Sequence, residues 1–192
     1  MEQDCHYYDG IFKHSKMFRS EFQKSIYLPG WLKTTEWIGG INSILDIGCG
    51  TGQYAAFLST KKKKVFRYHG IDFSEVAISL ATQLRLPRSS FTFEKKDILT
   101  SNIDFTAYGV VLMLEFLEHI NDDVLFLKRI PIGKRIVLSV PNFSAPSHVR
   151  HFSSLSDVIN RYGSVLTIND TFSYRLFTSG ASRIFLLNAT VK

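Results

Sequence analysis

A chain of 192 residues suits one domain, and 45% hydrophobic with 21% charged residues is a mixture able to build a full core. The formal net charge of +6 and pI near 9.3 favour anionic partners but stay below the charge density of a dedicated nucleic-acid binder. Cys5 and Cys49 make no disulfide framework, so a reducing, cytoplasmic setting is expected; no apolar run is long enough for a bilayer and no signal-peptide core stands near the start.

Residues 1–10 read as an irregular lead-in. Phe18, Phe22 and Ile26 recur at i, i+4, i+8, which predicts an amphipathic helix over 16–26, broken by Pro29-Gly30. A short helix over 31–38 stops at Gly39-Gly40. Residues 1–40 thus form a helical segment, a lid over a site or a cover on a sheet edge, and 41–192 the core of the same single domain.

From there the pattern alternates. A strand over 44–47 runs into a glycine-dense turn, and a helix starts over 53–58. The lysines at 61–64 read as a solvated loop, with nucleic-acid contact as the sharper alternative. A strand over 65–71 ends at Asp72, and Ser74 caps a helix carrying Val76, Leu80 and Leu84 on one face. A strand from Phe91 runs toward Asp97; the apolar run over 108–114 suits a strand buried on both faces. A helix over 121–130 opens on Asp122 and Asp123, a strand over 135–140 stops at Pro141-Asn142, and a helix covers 153–162. Segments 164–169, 172–177 and 182–191 are strand-like. That order predicts an α/β, doubly wound, mainly parallel sheet with helices on both faces and an antiparallel pair at its finish.

In such a sheet ligands bind beyond the carboxyl ends of the strands. The first strand ends in Asp46 and a turn with Gly48, Gly50 and Gly52, where backbone can approach a ligand without Cβ obstruction. The spacing is G-x-G-x-G with Gln53 next, not the G-x-G-x-x-G of dinucleotide binders. Asp72 at the second strand end can accept ribose hydroxyls. Asp97 and Ile98 at the third can take an adenine amino group and cover its ring. The fourth strand end carries 114–119.

The segments L-D-I-G-C-G-T-G at 45–52, G-I-D-F-S at 70–74, K-K-D-I at 95–98 and L-E-F-L-E-H-I at 114–120 resemble the class I S-adenosylmethionine-dependent methyltransferases, most closely the small-molecule branch with the ubiquinone-biosynthesis O-methyltransferases. The resemblance covers about 40–145 and implies a Rossmann-like, seven-stranded sheet, S-adenosylmethionine as cofactor, and methyl transfer to a small-molecule acceptor, more often at oxygen than at nitrogen or carbon. It also implies roles. Gly48, Cys49, Gly50 and Gly52 would form the turn against the methionine moiety, with Asp46 orienting it. Asp72 would hold the ribose, Phe73 would lie against the adenine, Asp97 and Ile98 would fix the adenine edge and face, and Leu114 and Glu115 would line the methionine side.

His119, beside Glu118, is the candidate base for an oxygen acceptor. Asn142, His148 and Arg150 lie in the loop after the fifth strand, where acceptors are met in this fold, and Arg150 would pair with an acidic group. Glu115, Glu118 and His119 in E-x-x-E-H spacing, with His148 and His151, also resemble the two carboxylates and two histidines with which small-RNA 3′-end methyltransferases hold a divalent ion; such ligands suit Mg, Mn or Zn. That match is partial, and no metal is assigned. Tyr7, Tyr8, Phe12 and Trp31 are candidates for an aromatic lid. The rivals are an RNA or protein methyltransferase and a cofactor-binding module without turnover; no membrane contact is expected, and the oligomeric state is open.

Overall fold

The computed structural model of the chain describes residues 2–61, 67–177 and 180–192. Lys62, Lys63 and Lys64 of the lysine run, and Val65 and Phe66 of the expected second strand, lie outside the described residues.

Three helices lead in: α1 (Cys5–His14), α2 (Lys16–Arg19) and α3 (Leu28–Ile38). The sheet and its crossovers follow as β1 (Ser43–Ile47), α4 (Gln53–Lys61), β2 (Arg67–Asp72), α5 (Glu75–Thr82), β3 (Phe91–Lys95), β4 (Val110–Leu114), α6 (Asp123–Leu127), β5 (Arg135–Pro141), α7 (Leu155–Tyr162), β6 (Leu166–Arg175) and β7 (Arg183–Val191). The seven strands lie in the order β3-β2-β1-β4-β5-β7-β6. Strands β1 to β5 are mutually parallel, and β7 runs antiparallel to both β5 and β6. The doubly wound, Rossmann-like architecture expected from the alternation is the one found.

The central strands explain the order. In β4 the run Val110 to Met113 is fully buried, as a strand covered on both faces must be. Its side chains alternate between two cores. Val111 and Met113 join Leu45, Ile47, Ile136 and Leu138 on one face; Val110 and Leu112 join Ile44, Val137 and Tyr68 on the other. Ser74 caps α5 by accepting from Ala77 N, and Ser154 with Asp157 forms a capping box on α7.

The N-terminal segment departs from expectation. Residues 5–14 are helical, not irregular, because Asp4 caps α1 by accepting from the Tyr7 amide at 2.9 Å. The helix expected over 16–26 is α2 and a 3₁₀ turn at Phe22–Lys24. Its carbonyls bond elsewhere: Gln53 Nε2 donates to Met17 O and Ser20 O, and Thr51 Oγ1 to Phe18 O. Pro29 and Gly30 sit inside the first turn of α3, where proline's missing N–H costs nothing, so they open a helix and do not break one. Further on, α6 is shorter than the helix expected over 121–130, and the two strand pieces after α7 are one strand, β6, with an irregularity between Ile168 and Asp170. Among the described residues no helix is long and apolar enough to cross a membrane.

Candidate active site

The carboxyl ends of β1 to β5 open into one cavity of about 450 Å³ roofed by the N-terminal helices. Its first half is a cradle made by β1, β2 and β3. Gly48 and Cys49 donate their amides to Ile71 O at 2.9 and 3.0 Å, and Gly50 donates to Asp72 Oδ2 at 3.0 Å. Asp72 Oδ1 accepts from Ser74 N at 2.9 Å. Each carboxylate oxygen keeps a further lone pair, which leaves room for hydroxyl donors from a ligand. Burial pushes Asp72 up to about 6 and Asp46 up to about 7. The Tyr68 hydroxyl donates to Asp46 Oδ2 and holds it under the turn. Asp97 closes its own turn, accepting from Leu99 N at 2.9 Å and Thr100 Oγ1 at 3.1 Å.

The second half is built on the end of β4. Glu115 has a φ of +54°, a left-handed conformation costing of order 1–3 kcal/mol in a non-glycine residue, which persists where surroundings enforce it. Ser139 on β5 enforces it: its hydroxyl accepts from Glu115 N at 2.9 Å and donates to Glu115 Oε1 at 2.7 Å. Burial raises the Glu115 carboxyl to about 7. The 3₁₀ turn Leu117–His119 then brings Glu118 inward. Glu118 is fully buried, and neither carboxylate oxygen has a hydrogen-bond partner. Burial, then the neighbouring Glu115, drives its carboxyl well above the usual range.

Two histidines complete the cluster. His119 Nδ1 lies 2.9 Å from Ser147 O, and His148 Nδ1 lies 3.0 Å from Phe143 O. Those carbonyls can only accept, so each Nδ1 carries the proton and each Nε2 keeps a lone pair. His119 Nε2 is 3.8 Å from Glu118 Oε1. Burial lowers His119 to about 4, so its ring is neutral. Glu118, His119 and His148 each offer a ligand atom within 4.8 Å of the others. A sealed carboxyl group without partners, and two neutral imidazoles oriented through their far nitrogens, fit a divalent cation by chemistry and by orientation.

The roof belongs to α1 and α3. Asp9 accepts from Ser74 Oγ and from Val76 N, the latter at 3.2 Å, and fastens α1 to the start of α5. Glu2 accepts from Asn121 N at 2.8 Å, and Gln3 Nε2 donates to Pro146 O at 3.3 Å. Tyr8 places its ring between Phe73 and His119, with centroids 5.3 and 5.7 Å away.

Asp46, Gly48, Cys49, Gly50, Asp72, Phe73, Asp97, Ile98, Leu114, Glu115, His119 and His148 all line this cavity, as do the four lid aromatics. Three expected residues do not. Gly52 faces α5: a Cβ there would meet Leu84 Cδ1 at 2.8 Å and Ala81 Cβ at 3.1 Å, so its service is helix packing. Asn142 is spent on the β7 entry, donating to Ala181 O at 2.9 Å and accepting from Arg183 N at 2.6 Å. Arg150 turns away from the cavity, onto backbone carbonyls and Asp123. His151 is exposed and outside the cluster. Sequence reasoning missed Ser139, which reads as one more strand residue, and Tyr27 and Tyr174, which line the cavity from the residue before α3 and from β6.

Comparison with known proteins agrees with this layout. Residues 45–131 match the family described as a methyltransferase domain. The N-methyltransferase NodS of Bradyrhizobium japonicum WM9, solved with S-adenosyl-L-homocysteine, superposes with a TM-score of 0.70 at 18% identity, over 98% of this chain and 99% of that one. The magnesium protoporphyrin IX methyltransferase ChlM of Synechocystis PCC 6803, solved with S-adenosylmethionine, gives 0.66 at 18% identity over 98% of each chain. A curated small RNA 2′-O-methyltransferase of Schizosaccharomyces pombe is 28% identical over 137 residues, 62% of this chain; the match spans about a third of that protein, 36%. Residues 45–131 thus match a methyltransferase domain, and the chain carries the seven-stranded, Rossmann-like fold of the solved methyltransferases it superposes on.

Proposed function

We propose that the protein is an S-adenosylmethionine-dependent O-methyltransferase whose acceptor is a small molecule presenting a hydroxyl at the Glu118–His119–His148 cluster. One observation carries the reading: a single cavity joins the Gly50–Asp72 cradle to that cluster. The cradle suits the ribose and methionine portions of the cofactor, and the cluster stands where an acceptor would meet the methyl group.

The chemistry asks for alignment more than for covalent help. The acceptor oxygen attacks the methyl carbon in line, the sulfur keeps the electron pair of the broken bond, and the sulfonium charge vanishes. Fixing that geometry and keeping water out account for most of the acceleration. The roof and the largely apolar wall around Phe73, Phe116 and Phe143 exclude water. Glu118, His119 and His148 would hold a divalent cation, which supplies Lewis acidity that makes a nearby hydroxyl a better nucleophile. Where no cation is held, the free lone pair of His119 Nε2 is the one placed to receive the acceptor proton.

The test is methyl transfer from radiolabelled S-adenosylmethionine to catechols and sugar diols, with Mn²⁺ or with EDTA. Label in the organic product with Mn²⁺, reduced at least tenfold by EDTA, supports the reading. Cofactor binding without transfer to any hydroxyl compound counts against it.

A second reading, a ribose hydroxyl of RNA, is favoured by the likeness to the fission-yeast RNA enzyme and by the net charge of +6. A short RNA with a free terminal diol separates the two. Under this reading it is methylated, periodate oxidation of the diol abolishes transfer, and binding weakens steeply with salt as counterions are released.

A further inference from the structure

We infer that Arg150 is the positioning residue of the carboxylate–imidazole cluster: it clamps the segment bearing Glu118 and His119 to the segment bearing His148. The inference rests on the metal reading above, and it gives a role to a side chain that touches neither cavity nor ligand.

The guanidinium reaches across the β4–α6 connection from Leu117 to Asn121. Nη1 donates to Leu117 O and Ile120 O, and Nη2 donates to Asn121 O at 2.7 Å. The two Nη1 acceptors bracket Glu118 and His119, so the direction in which those side chains leave the backbone is set from behind. Nη1 also lies 3.2 Å from Asp123 Oδ2. Asp123 is itself anchored: it is 1% exposed, takes a two-point contact from Arg161 at 2.7 and 2.8 Å, and accepts from Tyr162 Oη at 2.8 Å. Arg150 is therefore fixed to α7 through Asp123.

The connection also runs the other way. Val149 N donates to Glu118 O at 2.8 Å, and His119 Nδ1 pairs with Ser147 O at 2.9 Å. Backbone and side chain of one short stretch, 147–150, thus meet both sides of 117–121. His148 sits inside that stretch, so the clamp sets its distance to Glu118 as well. Three carbonyls and a carboxylate around one planar fork are a task for arginine; a lysine offers a single flexible point charge. Outer partners of this kind set how well ligands converge, and losing one costs about 10–100-fold in metal affinity.

The experiment compares wild type, Arg150→Lys and Arg150→Met. It uses Mn²⁺ titration by electron paramagnetic resonance, the visible spectrum of added Co²⁺, S-adenosylhomocysteine titration by calorimetry, and hydrogen exchange across 117–121 and 147–152. The expected result is Mn²⁺ affinity about 10–100-fold weaker in Arg150→Met, partly recovered in Arg150→Lys, with an altered Co²⁺ spectrum and S-adenosylhomocysteine affinity within twofold. Mn²⁺ affinity within twofold of wild type in a folded Arg150→Met overturns the inference; so does a parallel loss of S-adenosylhomocysteine, which marks general loosening. Should Arg150→Met not fold, Arg150→Lys carries the same comparison. A wild-type protein that takes up neither ion removes the metal reading instead, and hydrogen exchange then decides alone: faster exchange confined to the two segments supports the clamp, and unchanged exchange refutes it.

Discussion

The amide of Gly50 donates to Asp72 Oδ2 at 3.0 Å, which makes the turn after β1 and the carboxylate ending β2 one hydrogen-bonded unit. Asp72→Ala removes that bond and the one from Ser74 N, and takes away the proposed acceptor for a ribose hydroxyl. Hydrogen bonds to a charged group contribute about 1.5–3 kcal/mol each, so S-adenosylhomocysteine binding is expected to weaken at least ~10-fold. Asp72→Asn, which keeps one acceptor oxygen, falls between. Calorimetry reads the change; an affinity within twofold of wild type in the alanine variant contradicts the cradle.

The buried carboxyls make stability fall as pH rises. In the fold Asp46 titrates at about 7, against a usual value of 3.8, because burial disfavours its charge. The folded state thus binds the proton more tightly than the unfolded chain. Its stabilising contribution is complete below the usual carboxylate value and is lost as pH climbs through the folded one. The slope approaches about 1.4 kcal/mol per pH unit between the two values. Asp46→Asn keeps the shape and an acceptor for Tyr68 but cannot ionise. Urea unfolding at pH 5 and pH 8 is expected to show the variant gaining on wild type at the higher pH. A difference independent of pH would remove this account of Asp46.

Two glycines with similar backbone angles separate strain from crowding. Gly52 (φ +75°) and Gly133 (φ +80°) are both left-handed, but a Cβ on Gly133 meets nothing within 4 Å. Alanine at either site bears a backbone cost of roughly 1–2 kcal/mol. At Gly52 overpacking against Leu84 and Ala81 adds about 1–3 kcal/mol. One kcal/mol shifts Tm by about 2–4 °C at this chain length, so Gly52→Ala is expected to melt several degrees below Gly133→Ala. Since Gly52 does not line the cavity, the folded variant keeps its S-adenosylhomocysteine affinity. Equal melting temperatures, or a selective loss of binding in Gly52→Ala, would return Gly52 to the ligand.

The cradle was legible in the sequence because each of its parts is a local signal. An apolar strand ending in a carboxylate, then glycines, states both the geometry and the chemistry of Asp46 to Gly50, and Asp72 and Asp97 repeat the strand-end pattern. What escaped is what depends on direction. Asn142 and Arg150 are polar residues in a loop, and a polar loop residue reads the same whether it faces a ligand or its own backbone. Gly52 reads like Gly48, though one meets a helix and the other lines the cavity. The E-x-x-E-H spacing was visible, but the bond from Val149 to Glu118 that brings His148 alongside is tertiary and leaves no mark in local spacing. Helix α1 was missed because its end is set by one capping carboxylate, Asp4, in a polar stretch.

The reversal of strand order between β1 and β4 sorts the work of the chain into two instalments. Under the proposed roles, the residues for the ribose and adenine are complete by Ile98; the methionine-side pair Leu114 and Glu115, the cluster and the wall facing an acceptor all come from Leu114 onward. On that division, a descendant of this gene can trade one acceptor for another by rewriting the later stretch beyond Glu115, while the earlier one goes on delivering the same methyl donor.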